Sequence, residues 1–253
     1  MSRAICKSTS LAGIISSSTH LINFKTPTNF HAFRKIPSSS SSSSPSRVSP
    51  MATSRRTSAS SSPSSASPAS PSAASAIDFL TLCHRLKTTK RTGWVKREVE
   101  NPESIADHMY RMGVMALIAA DLPGVNRDKC IKMAIVHDIA EAIVGDITPS
   151  DGISKLEKSR REGEALEHMC KLLGGGPRAK EIADLWTEYE ENTSLEAKVV
   201  KDFDKVEMIL QALEYENEQG KDLDEFFQST AGKFQTNIGK TWASEIASRR
   251  TRH

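Results

Sequence analysis

Residues 133–140 read Met-Ala-Ile-Val-His-Asp-Ile-Ala, an apolar run in which His137 and Asp138 stand side by side. Ionisable side chains normally avoid such surroundings, because leaving water is costly unless they are paired or bind a metal. Two other places break the same rule. His108 lies in Ile105-Ala-Asp-His-Met-Tyr-Arg-Met, and Asp204 in Val199-Val-Lys-Asp-Phe-Asp-Lys-Val. Each alone has a plain reading: a lone His is more often a satisfied core or surface residue, and Asp204 could pair with Lys201 or Lys205. Together they give two imidazoles and two carboxylates on separate predicted helices, which side-by-side packing can converge on one ion. Nitrogen and oxygen donors without thiolate suit Mn²⁺, Co²⁺, Fe²⁺, Zn²⁺ or, less well, Mg²⁺. With these four ligands, an octahedral ion keeps positions for water and substrate, which distinguishes a catalytic metal from a structural one.

The hydrophobic period around these residues is helical. Ile77, Leu80, Leu82 and Leu86 predict a first helix ending before Thr92-Gly93. Asn101-Pro102 breaks the chain, and Ser104 with Asp107 three residues on is a capping arrangement. The helix it opens carries Met109, Met112, Val114, Met115, Leu117 and Ile118 on its inner side and stops near Leu122-Pro123-Gly124. Asn126 or Asp128 caps the next, with Ile131, Ala134, Ile135, Ile139 and Ala142 as its stripe and Gly145 as its end. After a loop from Asp146 to Gly152, helices are expected over 154–173, 178–191 and 195–218. The last is the central one, buried through Val199, Val200, Phe203, Val206, Ile209 and Leu210. Shorter helices fill 222–229 and 239–249. No alternating strand pattern of useful length occurs. The expected fold is all-α: a single-domain helical bundle over 76–253, preceded by a disordered leader over 1–75.

The order His108, His137-Asp138, Asp204 resembles the signature of the HD superfamily of metal-dependent phosphohydrolases. Longer blocks narrow the resemblance. Arg91-Thr-Gly-Trp-Val, Pro102-Glu-Ser-Ile-Ala-Asp-His-Met-Tyr-Arg-Met, Val136-His-Asp-Ile-Ala-Glu-Ala-Ile-Val-Gly-Asp-Ile and Ser229-Thr-Ala-Gly-Lys-Phe are similar to the HD domain-containing protein 2 group, from about Ile77 to Trp242. The resemblance implies a 5'-deoxynucleotidase that hydrolyses deoxynucleoside 5'-monophosphates to deoxynucleoside and phosphate. It implies a divalent ion (Mn²⁺, Co²⁺ or Mg²⁺, with Zn²⁺ or Fe²⁺ as alternatives) on His108, His137, Asp138 and Asp204, and a homodimer. Nothing in the helix patterns shows which face would pair.

An ion in such a site lowers the pKa of a bound water and offsets charge on the phosphoryl oxygens, with Asp138 both ligand and catalytic residue. Glu141, one turn from His137, can face the same cavity and is the candidate general acid/base. A solvent-facing helix glutamate is the plain alternative. By resemblance a second ion would sit on Glu141, the Asp146 carboxylate and the Ile147 carbonyl. The Asp146-Ile-Thr-Pro loop, with Thr148, would contact the deoxyribose; a simple helix-ending turn reads the same. Trp94 matches a tryptophan that borders sugar and base in bacterial relatives, which carry Arg directly before it. Here Gly93 stands in that place and Arg91 lies two positions earlier, so the role of Arg91 as a phosphate or sugar contact departs from the pattern. A core role for Trp94 stays open, as does the choice for Arg111 between phosphate contact and exposed helix residue.

Two other functions remain open on these residues: an HD-type phosphodiesterase or nucleoside triphosphohydrolase, and a non-catalytic HD binding module. The presence of all four ligands and Glu141 argues against the last. No Walker A loop, nucleophile elbow or dinucleotide fingerprint occurs.

Composition bounds the rest. From Met1 to Ile77 there is no Asp or Glu, Ser recurs in runs, and eight basic residues are scattered. This is the compositional mark of an organelle transit peptide, leaning toward a plastid with mitochondrion as the alternative, against the plain reading of a disordered tail with no address; Met51 could start a shorter, cytosolic form. Removing those eight from the 34 Lys and Arg leaves 26 against 31 acids, a net −5, so the basic balance of the whole chain belongs to the leader. Such a surface is a poor partner for long nucleic acid. Cys83, Cys130 and Cys170 are far apart in sequence and read as thiols in a reducing compartment. No apolar run reaches membrane-span length.

Overall fold

The computed structural model describes residues 70–251. The leader, its transit role and the Met51 start therefore lie outside the described residues, except that the first helix begins earlier than expected. That helix, α1 (Ala73–Thr88), is capped by the Ser72 hydroxyl, which accepts from the Ser75 N–H. Nine more follow: α2 (Thr92–Val95), α3 (Ile105–Ile118), α4 (Arg127–Val136), α5 (Glu141–Val144), α6 (Lys155–Leu172), α7 (Gly176–Glu191), α8 (Leu195–Gln219), α9 (Asp224–Thr230) and α10 (Asn237–Arg250). A 3₁₀ turn occupies Pro149–Asp151. The one β feature among the described residues is an isolated antiparallel bridge between Lys90 and Ser104. It fastens the segment bearing Arg91 beside the start of α3.

The long helix α8 is the axle, packing against α3, α4, α7, α9 and α10. Its core side is Val199, Val200, Phe203, Val206 and Ile209, as its period predicts. The caps at α3 and α4 fall where the sequence places them, and two serines not singled out there add others. Ser104 and Asp107 form a reciprocal capping box at α3, Asn126 (of the two candidates) caps α4, and Ser154 and Ser194 cap α6 and α8.

Three expectations need correction. The helix expected to run from Asn126 to Gly145 is broken: α4 ends at Val136, and His137 to Ala140 form a tight turn before α5. Its backbone bonds, Ile139 N–H to Val136 O and Glu141 N–H to Asp138 O, are of the shorter i→i+3 kind. The helix α3 also ends at Ile118, before Leu122. Finally, several residues assigned to inner stripes face outward. Ile77 and Leu80 on α1, Leu117 and Ile118 on α3 and Ile135 on α4 are exposed. Those helices are apolar on more than one side, so period alone does not select the core face. Burial selects Phe79 and Leu86 on α1, Ile105, Met109, Met112 and Met115 on α3, and Cys130, Met133 and Ala134 on α4.

Candidate metal centre and active site

His108 on α3, the His137-Asp138 turn after α4 and Asp204 on α8 converge. His108 and His137 are shut off from solvent at 0% and 2% exposure. Asp204 Oδ1 stands 3.3 Å, and Asp138 Oδ2 3.8 Å, from His108 Nε2, while Asp138 Oδ2 lies 3.2 Å from His137 Nε2. The donor atoms of His108, His137 and Asp138 all lie within 4.8 Å of one another. Both imidazoles are oriented through their other nitrogen. His137 Nδ1 lies 2.9 Å from the Ala134 carbonyl, to which it donates, and His108 Nδ1 is 2.6 Å from Glu207 Oε2. Their Nε2 atoms are buried and have no hydrogen-bond partner. A buried nitrogen without a partner costs free energy, and two aimed at the same carboxylates form the donor set of a divalent ion.

Further side chains support these four. The Tyr189 hydroxyl donates to Asp204 Oδ2 at 3.0 Å, and its ring packs on His137 with centroids 4.9 Å apart. Glu207 also takes Arg111, whose Nε donates to its Oε1 at 2.7 Å; the same guanidinium holds Glu214 and Gln211. Arg111 is thus half-buried and engaged in orienting Glu207, and is not the exposed helix residue of the second reading. Burial opposes ionisation of Asp138 and Asp204, but the adjacent imidazoles and Arg91 outweigh it and hold both carboxyls below their usual range.

Glu141 opens α5 and is 2% exposed. Its Oε2 has no hydrogen-bond partner, and Lys158 Nζ stands 3.7 Å from Oε1. Burial, then the charges of Asp138 and Asp146, push its carboxyl well above the ordinary range, against Arg91 and Lys158. It is not the solvent-facing helix residue of the plain alternative. Gly145 follows at φ 75°, a conformation that suits glycine, and turns the chain into the loop that begins with Asp146.

Two segments hold that loop. The Thr92 N–H donates to Asp146 Oδ2 at 2.6 Å and the Thr92 hydroxyl to the Asp146 carbonyl at 2.7 Å. Lys96 Nζ reaches Thr148, Ser150 and Asp151. Arg91 Nη1 lies 3.1 Å from Asp138 Oδ2 and 3.8 Å from Asp146 Oδ1, so Arg91 does reach the site from its shifted position. The Ile147 carbonyl accepts from Lys158 Nζ at 3.0 Å. Trp94 is different. It is 2% exposed, packs against Phe226 and Tyr215, and donates its indole N–H to Glu103 at 2.9 Å. Its surroundings are those of a core residue, and its neighbours Arg91 and Thr92 make the contacts with the site.

Sequence reasoning passes over Glu207, Tyr189, Lys158 and Glu162. Glu207 carries a signal, lying three residues after Asp204 on the same helix. The others sit in amphipathic patterns that give none.

Comparison with known proteins agrees with this geometry. A family model described as "HD domain" matches residues 83–246. The chain is 54% identical over 160 residues to "5'-deoxynucleotidase HDDC2" of Danio rerio, covering 62% of this chain and 79% of the relative. It is 47% identical over 180 residues to "5'-deoxynucleotidase hdd1" of Schizosaccharomyces pombe, covering 69% and 89%. Among solved structures, a conserved hypothetical protein from Pyrococcus furiosus superposes with a TM-score of 0.58 at 34% identity, over 70% of this chain and 99% of that one.

Proposed function

This chain belongs to the HD domain family, and we propose that it is a metal-dependent 5'-deoxynucleotidase, cleaving deoxynucleoside 5'-monophosphates to deoxynucleoside and phosphate. The observation that carries the reading is the pair of buried Nε2 atoms of His108 and His137, unpartnered and facing Asp138 and Asp204. A divalent ion of the Mn²⁺, Co²⁺ or Mg²⁺ class, held by these four residues, would activate a water and offset phosphoryl charge. Glu207 and the Ala134 carbonyl fix the two imidazole planes toward it. Glu141, whose burial pushes its carboxyl well above the ordinary range, is the group to deliver a proton to the departing 5'-oxygen. Arg91 and the Asp146–Thr148 loop form the rim against which phosphate and deoxyribose are held. Glu141, Asp146 and the Ile147 carbonyl are the donors for a second ion, should one bind.

The test is phosphate release from dAMP, dGMP, dCMP, dTMP and AMP with Mn²⁺, Co²⁺ or Mg²⁺, beside Asp138→Ala. Release from the deoxynucleotides, weak release from AMP and loss in the variant are expected. No release with metal bound would favour a diesterase or triphosphohydrolase, and no release without bound metal a binding module.

We extend the proposal to assembly and address. An exposed apolar stripe of Tyr110, Val114, Leu117 and Ile118 on α3, with Ile135 beside Gly113, supports a homodimer, which light scattering would test against its loss in Leu117→Glu. The acid-free, Ser-rich leader supports import into a plastid, tested by locating a fluorescent fusion of the whole chain.

A further inference from the structure

Lys158 is the basic residue of α6 that faces the site. Its Nζ donates to the Ile147 carbonyl at 3.0 Å and stands 3.4 Å from Glu162 Oε1 and 3.7 Å from Glu141 Oε1. One close hydrogen bond therefore serves an ammonium with three protons, and about a third of the side chain remains open to solvent, at 34% exposure. Arg111, Lys96 and the arginines of α6 are more fully engaged. Arg160 and Arg161 hold Glu157, Arg160 also holds Glu164, and Arg111 holds Glu207, Glu214 and Gln211. Lys96 is taken by three oxygens of the 148–151 turn, while Arg91, with one hydrogen bond to Asp138, is the other cation with donors to spare. The acidic side chains at the site are meanwhile more numerous than its Arg and Lys: Asp138, Glu141, Asp146 and Asp204 face Arg91 and Lys158.

We propose that Lys158 is a substrate-binding residue, its ammonium taking a phosphoryl oxygen of the monophosphate on the Glu141 side of the site. A phosphate dianion admitted among these acidic groups needs donors beyond those of a bound ion. Lys158 can turn two protons to it while keeping the Ile147 carbonyl. A phosphoryl group held there lies next to Glu141, where a proton to the leaving oxygen is required. Glu162, one helical turn along α6, is the alternative partner for the ammonium when no phosphate is present.

The inference rests on the phosphomonoesterase reading, so its test uses binding and not turnover. Mn²⁺-loaded wild type, Lys158→Met and Lys158→Arg would be titrated by calorimetry with inorganic phosphate and, separately, with deoxyadenosine. Loss of one charge-assisted hydrogen bond should weaken phosphate binding in Lys158→Met by about tenfold or more, and Lys158→Arg should recover most of it. Deoxyadenosine binding and Mn²⁺ uptake should not change. Unchanged phosphate affinity in Lys158→Met would overturn the inference. So would a parallel loss of phosphate and deoxyadenosine binding, which would mean that Lys158 merely props the loop through Ile147. Failure of all three proteins to take up Mn²⁺ would instead remove the metal-dependent reading and this inference with it, whereas phosphate-specific loss without dAMP hydrolysis by the wild type would leave Lys158 as a phosphate ligand and remove only the assigned reaction.

Discussion

His108 Nδ1 lies 2.6 Å from Glu207 Oε2, with both side chains completely buried. A carboxylate behind an imidazole fixes the ring and raises its basicity toward whatever its other nitrogen binds. Replacing Glu207 by Gln keeps the shape but removes the charge. Mn²⁺ affinity is expected to fall by about 10- to 100-fold, the usual effect of losing such a partner. Calorimetric titration of the variant checks this, and an unchanged dissociation constant would make Glu207 a purely structural residue.

The same pair sets how metal uptake depends on pH. Without an ion, burial and Arg91 oppose a charge on His108, but Glu207 and Asp204 prevail and raise its pKa to about 10. A ligand nitrogen must be unprotonated. Metal binding at neutral pH should therefore release a proton, and affinity should climb as pH rises toward 10. Titrations in buffers of different ionisation enthalpy count the protons; no release between pH 7 and 8 would contradict the geometry.

Asp202, two residues before the metal ligand Asp204, belongs to another device. Its carboxylate accepts from the Gln235 and Thr236 N–H groups and from the Thr236 hydroxyl, fixing the start of α10 on α8. Gly239 packs on it so closely that a Cβ there would lie 2.5 Å from Asp202 Oδ2 and 2.7 Å from its Cβ. Gly239→Ala should destabilise the protein by roughly 1–3 kcal/mol through overpacking. Each kcal/mol corresponds to about 2–4 °C in Tm for a chain of this size, so calorimetry resolves the effect. An unaltered Tm would show that α10 moves aside freely.

How far this site is legible in sequence follows from what burial does to particular residues. His108, His137, Asp138 and Asp204 stand out because charge in an apolar run demands an explanation. The break after Val136 does not stand out, for no Gly or Pro marks it and the apolar run continues to Ala140. Lys158 and Glu162 are four apart on a charged helix and read as an ordinary surface pair, yet Glu162 is only 5% exposed because α6 lays that face on the site. Trp94 reads equally as substrate wall or core, and only the positions of Phe226 and Tyr215 decide between them.

Glu141 is expected to matter for turnover more than for binding. Glu141→Gln retains the shape of the side chain and removes its exchangeable acid. The turnover number should fall by about 100- to 10,000-fold, with KM little changed and one Mn²⁺ still bound by the four ligands. Single-turnover kinetics with dAMP, alongside Mn²⁺ titration, separate the two effects. A variant with full activity would move the proton delivery elsewhere.

Glu162 gives the apoprotein a pH-dependent stability. Burial is the main reason its pKa is pushed up to about 7, with Lys158 pulling it down and Glu190 and Asp138 adding to the rise. In the unfolded chain a glutamate titrates near its usual value of about 4.3. Between these two values the folded state holds the proton and the unfolded state does not, so stability falls as pH rises through that window. The contribution is present in full below the unfolded value and is lost above about pH 7. Its size is at most about 4 kcal/mol, since each pKa unit is worth about 1.4 kcal/mol. Urea unfolding in EDTA from pH 4.5 to 8 should show the decline in wild type and a flatter profile in Glu162→Gln, which gains on wild type at pH 8. Identical profiles for the two would mean that Lys158 keeps Glu162 ionised throughout.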